Sequence, residues 1–200
     1  MPQSIQIFFL LFLMIGPFKM IVPFAKMTQG AEPSMIGRVA LLGIAYASVT
    51  LVVAGLLGEN ILRNYDIPIP ILSLAGGLIL FLVALLNVLQ QFSPPTAPVA
   101  NPQPLTTAMA ISPLAFPNII TPYGIAAVIV IPALCTDSQC TLTVYGIIVG
   151  IMVLNLVTLL TTRYIFKYLI LVLPVLGAIL GVVQVALGLD IMYGALLKLL

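Results

Sequence analysis

Six stretches of about twenty predominantly apolar residues constrain this chain more than any other feature of its sequence. They fall at residues 5–24, 39–57, 67–92, 108–134, 142–160 and 168–191. A helix rises about 1.5 Å per residue, so each stretch is long enough to cross roughly 30 Å of hydrocarbon. A soluble core has no room for them. Of 200 residues, 62% are hydrophobic and 6% charged, with a mean hydropathy of +1.27, and a globule of this size leaves much of its surface in water. A closed β-barrel would alternate apolar and polar residues, whereas these runs are unbroken. The expected fold is therefore an all-α membrane protein of six transmembrane helices.

The first stretch begins close to Met1 without a basic flank and ends in a Phe-rich, Pro-broken segment with no small-residue cleavage site. It reads as a retained span rather than a cleaved signal. In the third, Pro68 and Pro70 suit the first turn of a helix better than its interior. Six spans put both termini on one side. The connections after spans one, three and five carry Lys26, Arg38, Arg163 and Lys167, against Arg63 and Lys198 on the other side. This excess places both termini outside, on the periplasmic face of an inner membrane.

Residues 93–104, reading SPPTAPVANPQP, hold five prolines and no charge. Such a stretch favours extended, partly polyproline conformation. The chain then divides into a first three-helix repeat at 1–92, a linker at 93–107 and a second repeat at 108–200. Span one carries Gly16-Pro17-Phe18-Lys19 and Pro23; span four carries Pro113, Pro117 and Thr121-Pro122-Tyr123-Gly124. Each proline removes a backbone donor and obstructs the carbonyl four residues earlier. Pro17 and Pro122 lie 105 residues apart, and Gly77 and Gly181 lie 104 apart. Three spans separate such equivalents, so the second half enters the membrane with opposite polarity, as an inverted repeat with helices 1 and 4 broken. Paired broken helices point to a midplane binding site. Gly76, Gly77, Gly177 and Gly181 either belong to that architecture or let helices approach closely.

The expected substrate-binding residues are Gly16, Pro17, Lys19, Pro117, Asn118, Thr121, Pro122, Gly124 and Asp190. An ammonium inside a span costs on the order of 2.5–3.5 kcal/mol on insertion scales unless it snorkels or is paired. Lys19 therefore either snorkels, or sits at the helix break where it holds an anionic group or stands in for a bound cation. Asp190 is its expected acidic partner, with Glu59 the alternative. Asn118 and Thr121 lie within the span-four interruption, where they either meet a solute or bridge helices. For Asn87, Asn155 and Gln184, interhelical hydrogen bonding is the default. Cys135 and Cys140 bracket four residues of an outside connection, and their spacing permits a disulfide in an oxidising compartment. With no His and two Cys, neither a metal site nor a cofactor is expected.

Three motifs resemble the MarC family of six-span inner-membrane proteins. Gly16-Pro17-Phe18-Lys19-Met20-Ile21-Val22-Pro23-Phe24 resembles that family's D-P-x-G-N-x-P-x-F segment. The stretch from Leu74 through Gly76-Gly77 to Ala84 is close to A-G-G-I-I-L-F-L-I-A. Pro113-Leu114-Ala115-Phe116-Pro117 followed by Thr121-Pro122-Tyr123-Gly124-Ile125 resembles P-L-A-x-P-x-x-x-G-P-G-x-I. The resemblance implies kinship with neutral amino acid transporters and the wider lysine-exporter superfamily. The departures fall on polar positions: Gly16 replaces an Asp, Lys19-Met20 a Gly-Asn pair, and Thr121-Pro122-Tyr123 a G-P-G.

The expected function is a secondary transporter or exporter of a small metabolite, with the bilayer and a small solute as partners and homo-oligomer formation left open. The formal charge of +2 is spread thinly, without the basic cluster a nucleic-acid partner requires. An enzyme is not expected, since there is no His, no G-x-S-x-G and no pair of mid-span acids. A passive channel and a non-transporting membrane partner that keeps the fold are the alternatives.

Overall fold

The computed structural model of the chain describes residues 2–65, 67–90, 105–133, 135, 137–169 and 173–199. Most of the expected linker lies outside the described residues, as do the side chains of Glu59, Arg63, Asn87 and Lys167. Among the described residues, seven α-helices run in the order α1 (Pro2–Ile15), α2 (Phe18–Met27), α3 (Pro33–Asn64), α4 (Ile69–Gln90), α5 (Pro122–Ala133), α6 (Ser138–Leu169) and α7 (Leu173–Leu197). A single tight turn, Thr107–Ala110, and an irregular helical stretch, Ile111–Ile119, lead into α5. No strand occurs among the described residues.

Local chemistry explains the boundaries. α2 closes at Thr28, whose backbone N–H (2.9 Å) and hydroxyl (2.8 Å) both donate to the Phe24 carbonyl. Gly30 then turns the chain at φ 77°, a region that favours glycine. Pro33 opens α3 at a position where its missing N–H is harmless. Pro70 likewise falls in the first turn of α4. Cys135 and Cys140 are joined by a disulfide between α5 and α6, with Cα atoms 5.6 Å apart.

Among the described residues, five segments are long and apolar enough to cross a membrane, or six if the pair Thr107–Ile119 and Pro122–Ala133, bent by 65°, forms one span. The outward faces agree with that reading. Leu78, Leu82, Leu86 and Leu89 of α4, Val149, Val153 and Val157 of α6, and Ile179, Val182 and Leu189 of α7 are all exposed. An apolar exterior of this extent needs lipid against it. The threonines of α6 add little polarity to it, because Thr143, Thr158, Thr161 and Thr162 each donate to a carbonyl four residues back.

The buried core joins α1, α2, α3, α5 and α6 through Leu11, Ile15, Phe24, Leu51, Val128 and Ile148. Beside it, α4 packs along α7 at close range. A Cβ on Gly188 would lie 2.8 Å from the Phe81 backbone nitrogen, and one on Gly77 would lie 3.0 Å from the Gly188 carbonyl oxygen. Small residues here bring two backbones together, which supplies the dispersion contacts that hold helices in lipid. Gly188→Ala is expected to lower stability by about 1–3 kcal/mol, as overpacking does. Gly146→Ala, with nothing within 4 Å of its Cβ among the described residues, should not lower stability; thermal unfolding in detergent checks both.

Candidate functional site

α1 ends at Ile15 and α2 begins at Phe18. Pro17 has no N–H to donate to the carbonyl of Leu13 and therefore interrupts the ladder. At Gly16 a Cβ would lie 2.0 Å from the Phe12 carbonyl oxygen, so the turn excludes any side chain. The carbonyls of Leu13, Met14 and Ile15 thereby lose their helical donors, and each is taken up by a side chain instead. Gln184 of α7 donates to Leu13. Lys19 of α2 donates its Nζ proton to Met14 at 2.7 Å. Asn155 of α6, fully buried, donates through Nδ2 to Ile15 and to Ile151, both at 2.9 Å.

The second interruption arises differently. Ser112 and Phe116 each precede a proline, which drives a residue out of helical space; their φ/ψ values are −135°/125° and −122°/131°. The Ile120 N–H reaches back to the Ala115 carbonyl at 2.8 Å. α5 then starts at Pro122, with Thr121 as its N-cap: the Thr121 Oγ1 accepts from the Gly124 N–H at 3.2 Å. A Cβ on Gly124 would lie 2.8 Å from Ile15 Cγ2. The bare glycine lets the first turn of α5 rest on the end of α1, so the two interruptions touch.

Between them lies a cavity of about 450 Å³, lined by Gly16, Phe18, Lys19, Pro117, Asn118, Thr121, Tyr123 and Gln184 together with apolar side chains from α1, α4 and α7. The Lys19 ammonium lies 5.4 Å from the centroid of the Tyr123 ring, within cation–π range. A second cavity of about 500 Å³ runs between α4, α5 and α7; Ser73, Asp190 and Lys198 supply its polar side chains, apart from Tyr123, which borders both spaces. Tyr123 is itself buried.

The model of one protein family, described as MarC family integral membrane protein, matches residues 1–200. The chain belongs to the MarC family. It is accordingly a multi-pass membrane protein. No curated protein and no solved structure matches it.

In this MarC protein the first cavity brings together Gly16, Lys19, Pro117, Asn118 and Thr121. Pro17, Pro122 and Gly124 shape the interruptions without lining the space. Asp190 is placed elsewhere: it is exposed on α7 and lines the second cavity. The pairing expected between Lys19 and Asp190 does not form, because a bare carbonyl five residues away gives the ammonium a nearer partner. Nor does Lys19 snorkel, since its head turns back to the end of α1. Thr121 bridges no helices; it caps its own. Asn155 and Gln184 do bridge helices, and the carbonyls they meet are those the break exposes. In the sequence Tyr123 stands out only as part of the departure from G-P-G and not as a binding residue.

Replacing Asn155 by Leu leaves the Ile15 carbonyl buried without a donor and is expected to cost about 1–3 kcal/mol. Gly16→Ala should cost more, because its Cβ meets backbone. Thr158→Val, whose hydroxyl serves only its own helix at 2.8 Å, is the control expected to stay near wild type in thermal unfolding.

Proposed function

We propose that this MarC protein is a secondary transporter or exporter of a small metabolite, working by alternating access of two inverted three-helix halves around the first cavity. The observation that carries the reading is that residues from both helix interruptions, Gly16 and Lys19 on one side and Pro117, Asn118 and Thr121 on the other, line one space. Discontinuous helices meeting at a shared cavity expose backbone dipoles to a solute, the arrangement that secondary carriers use.

The element register supports the inverted halves. α2 and α5 begin at positions 18 and 122, and α3 and α6 at 33 and 138. The offset is thus 104 or 105. The Cys135–Cys140 bond supports an outside position for the α5–α6 connection, since disulfides persist in oxidising compartments. With six spans this puts both termini on the periplasmic side of an inner membrane, in keeping with the positive residues Lys26, Arg38 and Arg163 on the inner side. The resemblance noted above makes neutral amino acids one class of solute to test.

Counterflow in proteoliposomes with radiolabelled neutral amino acids and small carboxylates tests the reading. Saturable counterflow of at least one solute is expected. Gly177→Leu should abolish it: Gly177 lines the cavity and, among the described residues, nothing lies within 4 Å of its Cβ, so a side chain added there narrows the space without a clash. Flux that neither saturates nor exchanges would identify a channel. Complete inactivity of folded protein across the panel would favour a non-transporting partner.

A further inference from the structure

The electrostatics of the first cavity narrow the class of solute, given the carrier reading on which this inference rests. Among the described residues lining it, Lys19 is the only charged one. Its ammonium is held in place by the Met14 carbonyl at 2.7 Å and the face of Tyr123. An ammonium has three donors, so two are uncommitted among the described residues. The first turns of α2 and α5 border the same space through Phe18, Lys19 and Tyr123. The positive ends of two helix dipoles therefore add to the charge of Lys19. The negative end of α1, in contrast, is covered by the three side chains that donate to it. Much of the remaining wall is hydrocarbon: Phe12, Val22, Val83 and Leu180.

We infer that the solute is a monocarboxylate with an apolar body, its carboxylate set against Lys19 and the two helix N-termini. A zwitterionic amino acid is a poorer fit. Its ammonium would enter a positive cavity that offers no carboxylate among the described residues, and an unpaired buried charge is costly.

Gly177 permits the converse test. It borders the cavity with open space at its Cβ, so Gly177→Asp adds a carboxylate without a clash, and Gly177→Asn adds the same shape without the charge. Purified protein in detergent is titrated at neutral pH with three probes on one carbon skeleton: isocaproate, leucine and isoamylamine. Binding is read by calorimetry and by thermal shift. Isocaproate is expected to bind saturably and the other two not. Lys19→Met should weaken isocaproate binding at least about tenfold, because a charge-assisted contact is lost, while Lys19→Arg retains it. Gly177→Asp should abolish isocaproate binding and admit leucine; Gly177→Asn should do neither. The Gly177 pair decides the matter if Lys19→Met fails to fold.

Leucine binding to the native chain as tightly as isocaproate, isocaproate affinity unchanged by Gly177→Asp, or no binding of any probe by folded protein would overturn the inference. Counterflow keeps this separate from the carrier reading. Lys19-dependent isocaproate binding without counterflow of any solute would uphold the anion site and remove the carrier. Leucine counterflow that survives Lys19→Met would do the reverse.

Discussion

A backbone carbonyl that has lost its helical donor cannot turn to water inside hydrocarbon, and three consecutive ones at the end of α1 set the terms for the rest of this structure. Leu13, Met14 and Ile15 are met by Gln184 of α7, Lys19 of α2 and Asn155 of α6. One interruption thus binds three other helices to a single point. A net hydrogen bond contributes only about 1 kcal/mol, while a buried group left unmade costs more. These contacts accordingly specify where α6 and α7 stand against α1 more than they add stability, most of which comes from apolar packing around Leu11, Ile15 and Phe24.

The second interruption is resolved within its own segment. Thr121 caps α5, and the Ile120 N–H turns back to Ala115. Only the packing of Gly124 on Ile15 ties it to the first. The two interruptions are therefore unequal: the first is satisfied by side chains of three other helices, α2, α6 and α7, and the second within its own segment. If the halves move against one another, the bonds from Gln184 and Asn155 must be exchanged for others, whereas the cap on α5 can travel intact. A two-state element needs differential contacts of this kind.

Much of this was legible in the sequence because membrane helices obey simple rules. Apolar length marks a span, and the prolines at 17, 113, 117 and 122 announce lost donors whatever surrounds them. That Cys135 and Cys140 bond was open from spacing alone, which permits a bridge without requiring one. Partner choice was not legible. Charge attraction made Asp190 the natural mate for Lys19, yet which face of α7 looks inward depends on the close approach of Gly77 and Gly188, and that face carries Gln184 to the first cavity and leaves Asp190 in the second. Tyr123 was missed for the same reason. Its place between two cavities follows from the bend before α5, which no local pattern encodes.

The identity of the residue at position 19 remains to be accounted for. If the Met14 carbonyl needed only a donor, an amide would serve, as Gln184 does at the neighbouring carbonyl of Leu13. A lysine supplies the same hydrogen bond but brings a full charge into a spanning segment, at a cost on the order of 2.5–3.5 kcal/mol on insertion scales. Contact with an aromatic face offsets roughly 0.5–2 kcal/mol of that. The Tyr123 ring and the single carbonyl thus leave much of the penalty standing. A purely structural role gives no reason to carry it, whereas a site that attracts a negative group through a cavity with no competing acid among the described residues has a use for an ammonium at this place. The geometry of the break explains why position 19 has a donor; the cavity explains why that donor is charged.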